Sequence, residues 1–280
     1  MTFHQSQLGP SAPGQGFNLR TGGLPLAAAL ISLVSVAAVC VSKGGDVEIV
    51  EDVTLVTENL KLVIEATRAD IELFRGEPGS VITQVEFGNR PKVVHRVRPG
   101  AILPTSHLLI ETHIPVRYAP RSRATVRMWI PEGTEIEVNG EDLSVEITGP
   151  IAVNGVITLT KGDATLTDVT GNFDIDTGLG GITLNRVAGE FDANTGRGSI
   201  FFRGEPAASV VSHIETGAGS IFADLSRSPD LAVSAEAGRG AILLHDGKDP
   251  ISGANIAVSP EGGAATLELV TANGIIDIRR

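Results

Sequence analysis

The 280-residue sequence has one cysteine, one tryptophan and one tyrosine. A lone Cys40 cannot close an internal disulfide, so packing and hydrogen bonds must hold the fold. Scarce Trp and Tyr leave few of the aromatic platforms that sugar-binding clefts usually present. Cations are also outnumbered, with 22 Lys and Arg against 33 acids and a net charge of −11. That balance argues against general nucleic-acid binding, in which Lys and Arg displace counterions from phosphates. The six histidines (His4, His95, His107, His113, His213 and His245) lack the spacing of zinc ligands. His107 and His113 could meet across a hairpin, but lone strand histidines are usually surface residues, and no metal site is expected. What the chain does have is 42% hydrophobic residues and 33 glycines without the three-residue period of collagen. One or two ordered β-rich bodies are expected.

A single long apolar run interrupts this pattern. Between Arg20 and Lys43 lie 22 uncharged residues. About 20 helical residues cross a hydrocarbon layer of about 30 Å, so a transmembrane helix or signal anchor is expected over 23–42. Pro25 falls in its first turn, and Arg20 and Lys43 can snorkel toward the headgroups. A cleaved signal peptide competes with the anchor, but no clean Ala-x-Ala follows the run. A lipoprotein is disfavoured by Val39 before Cys40. The Gly-, Pro-, Ser- and Gln-rich stretch over 1–22 reads as a disordered polar tail. The charges after Lys43 favour a C-terminal body outside the cytoplasm.

Residues 46–138 form a β-rich section. Runs at 60–64, 70–74, 81–87, 92–97, 108–114, 124–130 and 134–138 alternate with period two, and prolines fall between them. Between Arg90 and Arg127 stand eight Lys or Arg against Glu111 alone, leaving −18 for the rest of the chain. Such a stretch could attract anionic headgroups or an anionic envelope polymer, or could pair with acids of its own fold.

From 139 to 280 the sequence repeats. The stretches TGLGGITL from Thr177, TGRGSIFF from Thr195, TGAGSIFA from Thr216, AGRGAILL from Ala237 and TANGIIDI from Thr271 share one pattern. Glycine holds the fourth place (Gly180, Gly198, Gly219, Gly240, Gly274) and isoleucine the sixth (Ile182, Ile200, Ile221, Ile242, Ile276). AVNGVITL from Ala152 reads as a degenerate copy, with Gly155 and Ile157 in those places. The glycines are spaced by 25, 18, 21, 21 and 34 residues, so a unit of about 20 residues recurs. One unit cannot bury its inward residues alone, whereas stacking at about 4.8 Å pools them into one core. The expected fold is all-β, a β-solenoid over 139–280. An antiparallel sandwich is the alternative, because spacing does not set strand direction. Glycines at the second and fourth places are expected where corners need positive φ or close backbone approach.

Catalytic and ligand motifs are thin. Each Gly-x-Gly precedes a strand, not the helix that a phosphate cradle requires. The repeats lack the aspartates of calcium-binding nonapeptides, and no cofactor is expected. Acids do recur near the rung starts: Asp174, Asp176, Asp192, Glu215, Asp224 and Glu236. Just before each copy stand Asp176, Asn194, Glu215, Glu236 and Val270, a partly acidic column if the copies stack. A pair of such acids could serve a carbohydrate-active enzyme on a β-helix.

The run ATVRMWIPEGTEIEV from Ala124, leading into the Thr-Gly-x-Gly-x-Ile copies, resembles the bacterial putative-adhesin domain family over 47–280. That family's Ile/Val-Pro-x-Gly entry and repeated Gly-Asp/Ser-Ile/Val rungs match it. The resemblance implies a non-catalytic, envelope-associated β-repeat protein. Where the family often has aspartate after the rung glycine, this chain has Gly181, Ser199, Ser220, Ala241 and Ile275, which argues against a ligand or metal role there. The expected function is that of a membrane-anchored adhesin or envelope scaffold without enzymatic activity. Its partner would be a cell-surface glycan, an anionic polymer or a protein. An enzyme, or a regulatory partner in envelope-stress sensing, is the alternative.

Overall fold

A computed structural model of the chain describes residues 38–40, 47–88, 94–102, 104–114, 123–226, 228, 230–245, 251–258 and 265–280. Every regular element among them is a strand. In chain order the first are β1 (Ala38–Cys40), β2 (Val47–Thr67), β3 (Ala69–Arg75), β4 (Ser80–Gly88), β5 (Val94–Pro99), β6 (Thr105–His113) and β7 (Ala124–Ile130). There follow β8 (Glu135–Glu141), β9 (Ser144–Ala152), β10 (Asn154–Lys161), β11 (Ala164–Thr170), β12 (Phe173–Leu179), β13 (Ile182–Gly189) and β14 (Phe191–Arg197). The last are β15 (Ile200–Pro206), β16 (Val211–Ala218), β17 (Ile221–Asp224), β18 (Ala232–His245), β19 (Ile251–Gly253), β20 (Asn255–Val258) and β21 (Thr266–Arg279). The seven alternating runs read from residues 60–138 correspond to β2 through β8.

The strands make two parallel ladders, and the chain passes from one to the other at each corner. Ladder A runs in space β6, β2 (residues 61–67), β8, β10, β12, β14, β16, the first half of β21, then that of β18. Ladder B runs β7, β3, β9, β11, β13, β15, β17, then the second halves of β21 and β18. Parallel pairing replaces the antiparallel sandwich that spacing alone left open. Strands before residue 139 enter the same ladders, so residues 46–138 and 139–280 share one hydrogen-bonded stack. Antiparallel strands flank it: β19 and β20 on β18 at one end, and β5 on β6 and β4 on β7 at the other. These returns cover edges that would otherwise offer unpaired N–H and C=O groups.

Spatial order departs from chain order at the C-terminal end. Thr216 and Ile221 lie beside Thr271 and Ile276, and these in turn lie beside Ala237 and Ile242. The final strand therefore sits between two repeats that are consecutive in sequence.

Alternation sets which side chains face inward. Ile182, Ile200, Ile221, Ile276 and Ile242 form one column, and Leu184, Phe202, Ala223, Ile278 and Leu244 the next. All are at most 3% exposed. Each large member is worth roughly 1.5–3 kcal/mol when fully buried. Phe191 stacks on Phe173 with ring centroids 6.5 Å apart and meets Phe202 edge-on at 6.2 Å, adding aromatic contacts along the core. Left-handed Asp168 and Arg186 shift the alternation by one residue, so that Val169 and Val187 also point inward.

Two expectations are corrected. Gly155 and Ile157 do not occupy the corner and the isoleucine column. Both lie in ladder A, where Gly155 neighbours Ile136 and Phe173 and Ile157 neighbours Val138 and Ile175. Corner Gly162 and inward Ala164 hold the equivalent places in that rung. Matching by Gly-x-Ile spacing selected a mid-strand glycine that leaves room for the Phe173 ring, 3.0 Å from where a Cβ would stand. The second concerns only the C-terminal end of the expected transmembrane helix, residues 38–40. Residues 38–40 form β1, antiparallel to Ile49–Glu51 of β2, where that strand's edge satisfies their backbone groups. The rest of 23–42, and the tail over 1–22, lie outside the described residues. Among the described residues no helix is long and apolar enough to cross a membrane.

Candidate functional site

The corners account for the repeat motif. At Gly198 an added Cβ would stand 1.8 Å from the Gly180 carbonyl oxygen, and at Gly219 1.8 Å from that of Gly198. Consecutive rungs thus approach too closely for any side chain. Threonine at the first place completes the corner: Thr195 donates to the Gly180 carbonyl at 2.8 Å, Thr216 to that of Gly198 at 2.9 Å, and Thr271 to that of Gly219 at 3.1 Å. All three threonines are buried, and each hydroxyl satisfies a carbonyl of the neighbouring rung. Ala237 replaces threonine in the last parallel rung, next to the antiparallel cap. The place after the corner glycine is also structural. Asp163 accepts from the Gly181 N–H at 2.7 Å, and Ser199 from that of Ser220 at 3.4 Å.

The outward face of ladder A gathers most of the sequence-selected acids. One row runs Glu137, Val156, Asp174, Asp192, His213, Glu268. The next runs Asp176, Asn194, Glu215, Val270, Glu236. The expected partly acidic column is therefore present, with Val270 between Glu215 and Glu236 because β21 inserts there. A shallow groove of about 610 Å³ opens over the start of these rows, lined by Lys61, Glu135, Glu137, Val156, Asp174 and Asp192 among others. Asn154 and Asn172 stitch its floor, each accepting a backbone N–H from the next rung, at 2.8 and 3.2 Å.

Charge is offset by a lysine at one end of the row and unbalanced in its middle. Lys61 bridges Glu137 at 3.0 Å, which holds the ammonium above and the carboxyl below their usual ranges. His213 sits between Glu215 at 3.2 Å and Glu268 at 3.6 Å. Asp174, by contrast, has Asp192 as its neighbour on the adjoining strand. Partial burial, with Asp192 and Asp176 adding repulsion, pushes the Asp174 carboxyl up. Asp224 stands apart, on ladder B, where it pairs with Arg203 at 3.5 Å and accepts from the Ser226 hydroxyl at 2.7 Å.

The basic stretch spends much of its charge internally. Arg98 bridges Glu111, Arg123 bridges Asp70 and Asp142, and Arg127 bridges Glu72 and Glu86, at 2.8–3.0 Å. Arg90, Lys92, Arg117 and Arg121 lie outside the described residues. His107 and His113 share strand β6 and so do not face each other across a hairpin. His95 bonds Thr112 at 2.9 Å, and burial pushes its imidazole down to about 4. Among the described residues no group of three or more His, Cys, Asp or Glu is arranged to hold a metal ion.

Two exposed aromatics escaped the sequence reading. Phe201 and Phe222, 37% and 42% exposed, occupy the seventh place of their copies and are neighbours on ladder B. The signal was available: an odd place between two inward ones must face out.

No family model matches the chain, and no curated protein matches it. Among solved structures, the chain is similar to a putative cell adhesion protein from Clostridium sporogenes at 15% identity, covering 82% of this chain and 98% of that one, with a TM-score of 0.33. It is also similar to a putative adhesin from Parabacteroides merdae at 10% identity, covering 85% and 97%, with a TM-score of 0.27.

Proposed function

We propose that this chain is a non-catalytic β-solenoid that acts as an adhesin or scaffold of the cell envelope, anchored in the membrane by the apolar run ahead of β1, with the β body outside the cytoplasm. The observation that carries the reading is the regular outward face of ladder A, where side chains recur rung after rung at about 4.8 Å. Such a surface suits a repetitive partner, because weak contacts at successive rungs add into avidity. The test is binding of the labelled full chain to whole cells, together with fractionation and protease shaving of cells expressing it with a C-terminal tag. Membrane fractionation, shaving of the tag and saturable cell binding are expected. A soluble, protected tag would overturn the anchor, and absence of cell binding would overturn adhesion.

A second reading, a carbohydrate-active enzyme, is favoured by one observation: Asp174, raised by its surroundings, lies beside Asp192 at a groove. Polysaccharide cleavage that disappears in Asp174→Asn and Asp192→Asn would replace the first reading with this one.

A further inference from the structure

The geometry points to a binding site for a neutral glycan on ladder B, centred on Phe201 and Phe222. This inference rests on the adhesin reading and names its ligand class. The two rings project outward from adjacent rungs, about 4.8 Å apart along the stack. Beyond them the same row continues with Asp277, and the next row carries Arg203, Asp224, Arg279 and His245. Phe201, Phe222, Asp224, Asp277 and Arg279 line a depression of about 270 Å³.

Its composition selects the ligand. Two exposed aromatic faces offer apolar contact, while charged groups beside them offer directional hydrogen bonds, the combination by which small-ligand sites fix orientation. The two carboxylates of the depression are offset by Arg279 in its lining and by Arg203, which pairs with Asp224 beside it, so the depression attracts neither strong anions nor strong cations, unlike the acidic rows of ladder A. The polar groups are also incompletely used. Asp277 Oδ1 and Arg203 Nε are shut off from solvent and make no hydrogen bond. Their nearest polar neighbours, the His245 imidazole at 3.4 Å and the Arg279 guanidinium at 3.6 Å for Asp277 and the Asp224 carboxylate at 3.5 Å for Arg203, stand outside hydrogen-bond geometry. A small adjustment of either side chain would offer a donor or an acceptor to a hydroxyl. A neutral sugar ring meets all these demands, with C–H faces for the phenylalanines and hydroxyls that bond both carboxylate and guanidinium.

The experiment applies the purified full chain, and its Phe201→Ala/Phe222→Ala and Phe201→Tyr/Phe222→Tyr variants, to an array of neutral oligosaccharides of glucose, mannose, galactose and N-acetylglucosamine. Urea unfolding of each variant checks the fold, which substitutions at exposed positions should leave intact. The expected result is binding by the parent chain, a loss of at least tenfold in the alanine variant, and retention in the tyrosine variant. No binding to any neutral oligosaccharide, or equal binding by the alanine variant, overturns the site. Whole-cell binding separates this outcome from failure of adhesion. Cell binding that persists in the alanine variant rejects the glycan site alone, whereas absent cell binding by the parent rejects the adhesin reading.

Discussion

The Thr195 hydroxyl donates to the carbonyl of Gly180, 2.8 Å away in the neighbouring rung, and both groups belong to the same place-by-place repeat. Threonine and glycine recur together because one fills the gap that the other leaves.

Thr195→Val keeps the β-branched shape and removes the hydroxyl. It removes the shorter of two hydroxyl bonds to the half-buried Gly180 carbonyl, leaving that from Thr177 at 3.3 Å, and should cost about 1 kcal/mol. A lowered urea midpoint with an unchanged m-value would be the signature. An unchanged midpoint would mean that the hydroxyl contributes nothing.

Gly198→Ala places a Cβ 1.8 Å from the Gly180 carbonyl oxygen, against backbone that cannot rotate aside. A loss of about 3 kcal/mol or more is expected. Gly181→Ala is the control. Its nearest neighbour would be 3.3 Å away, and it should cost under about 1 kcal/mol. Equal losses in the two variants, by thermal or chemical unfolding, would contradict the close-approach account.

The insertion of β21 can be tested by cross-linking in a Cys40→Ser background. Glu215→Cys with Val270→Cys puts thiols on neighbouring strands, about 4.8 Å apart at the backbone and within disulfide reach. Glu215→Cys with Glu236→Cys puts them two strands apart, at about 10 Å and beyond it. Only the first pair should oxidise. Efficient bridging of the second would mean that the repeats stack in chain order.

Burial holds His95 near 4, below its ordinary 6.5, so the fold excludes a proton that the unfolded chain accepts. Its contribution is complete above pH 6.5, declines as pH falls through that value and levels off near pH 4. Urea midpoints of the parent should therefore fall more steeply over this window than those of His95→Gln. Parallel profiles would remove His95 from the pH response.

Asp174→Asn relieves partial desolvation and the repulsion from Asp192 and Asp176. Stability at neutral pH should rise by roughly 0.5–1 kcal/mol, as expected for separating like charges across strands. Because the carboxyl is raised, the parent regains stability as it protonates, so the gap closes toward acid. It should also shrink in about 1 M salt, where screening reaches about 3 Å. A melting temperature that drops on substitution would show that Asp174 is stabilising where it stands.

Alternation and the Thr-Gly-x-Gly-x-Ile module, read along the chain, located the corners and inward isoleucines of the five copies from Thr177 onward, because parity and glycine corners are local properties, but misplaced those of the degenerate copy at Gly155 and Ile157. They equally implied that Phe201 and Phe222 face outward. Which rung lies beside which was decided only in three dimensions. Every copy presents nearly the same edge, so Thr216 could pair with Ala237 or Thr271 at similar local cost. The antiparallel return of β19 and β20 over one edge of β18, with β21 along the other, resolves that degeneracy. The same closure placed Asp277 beyond Phe222, a juxtaposition that no spacing in the chain encodes, whereas Asp174 and Asp192, 18 residues apart like Gly180 and Gly198, are aligned by the repeat itself.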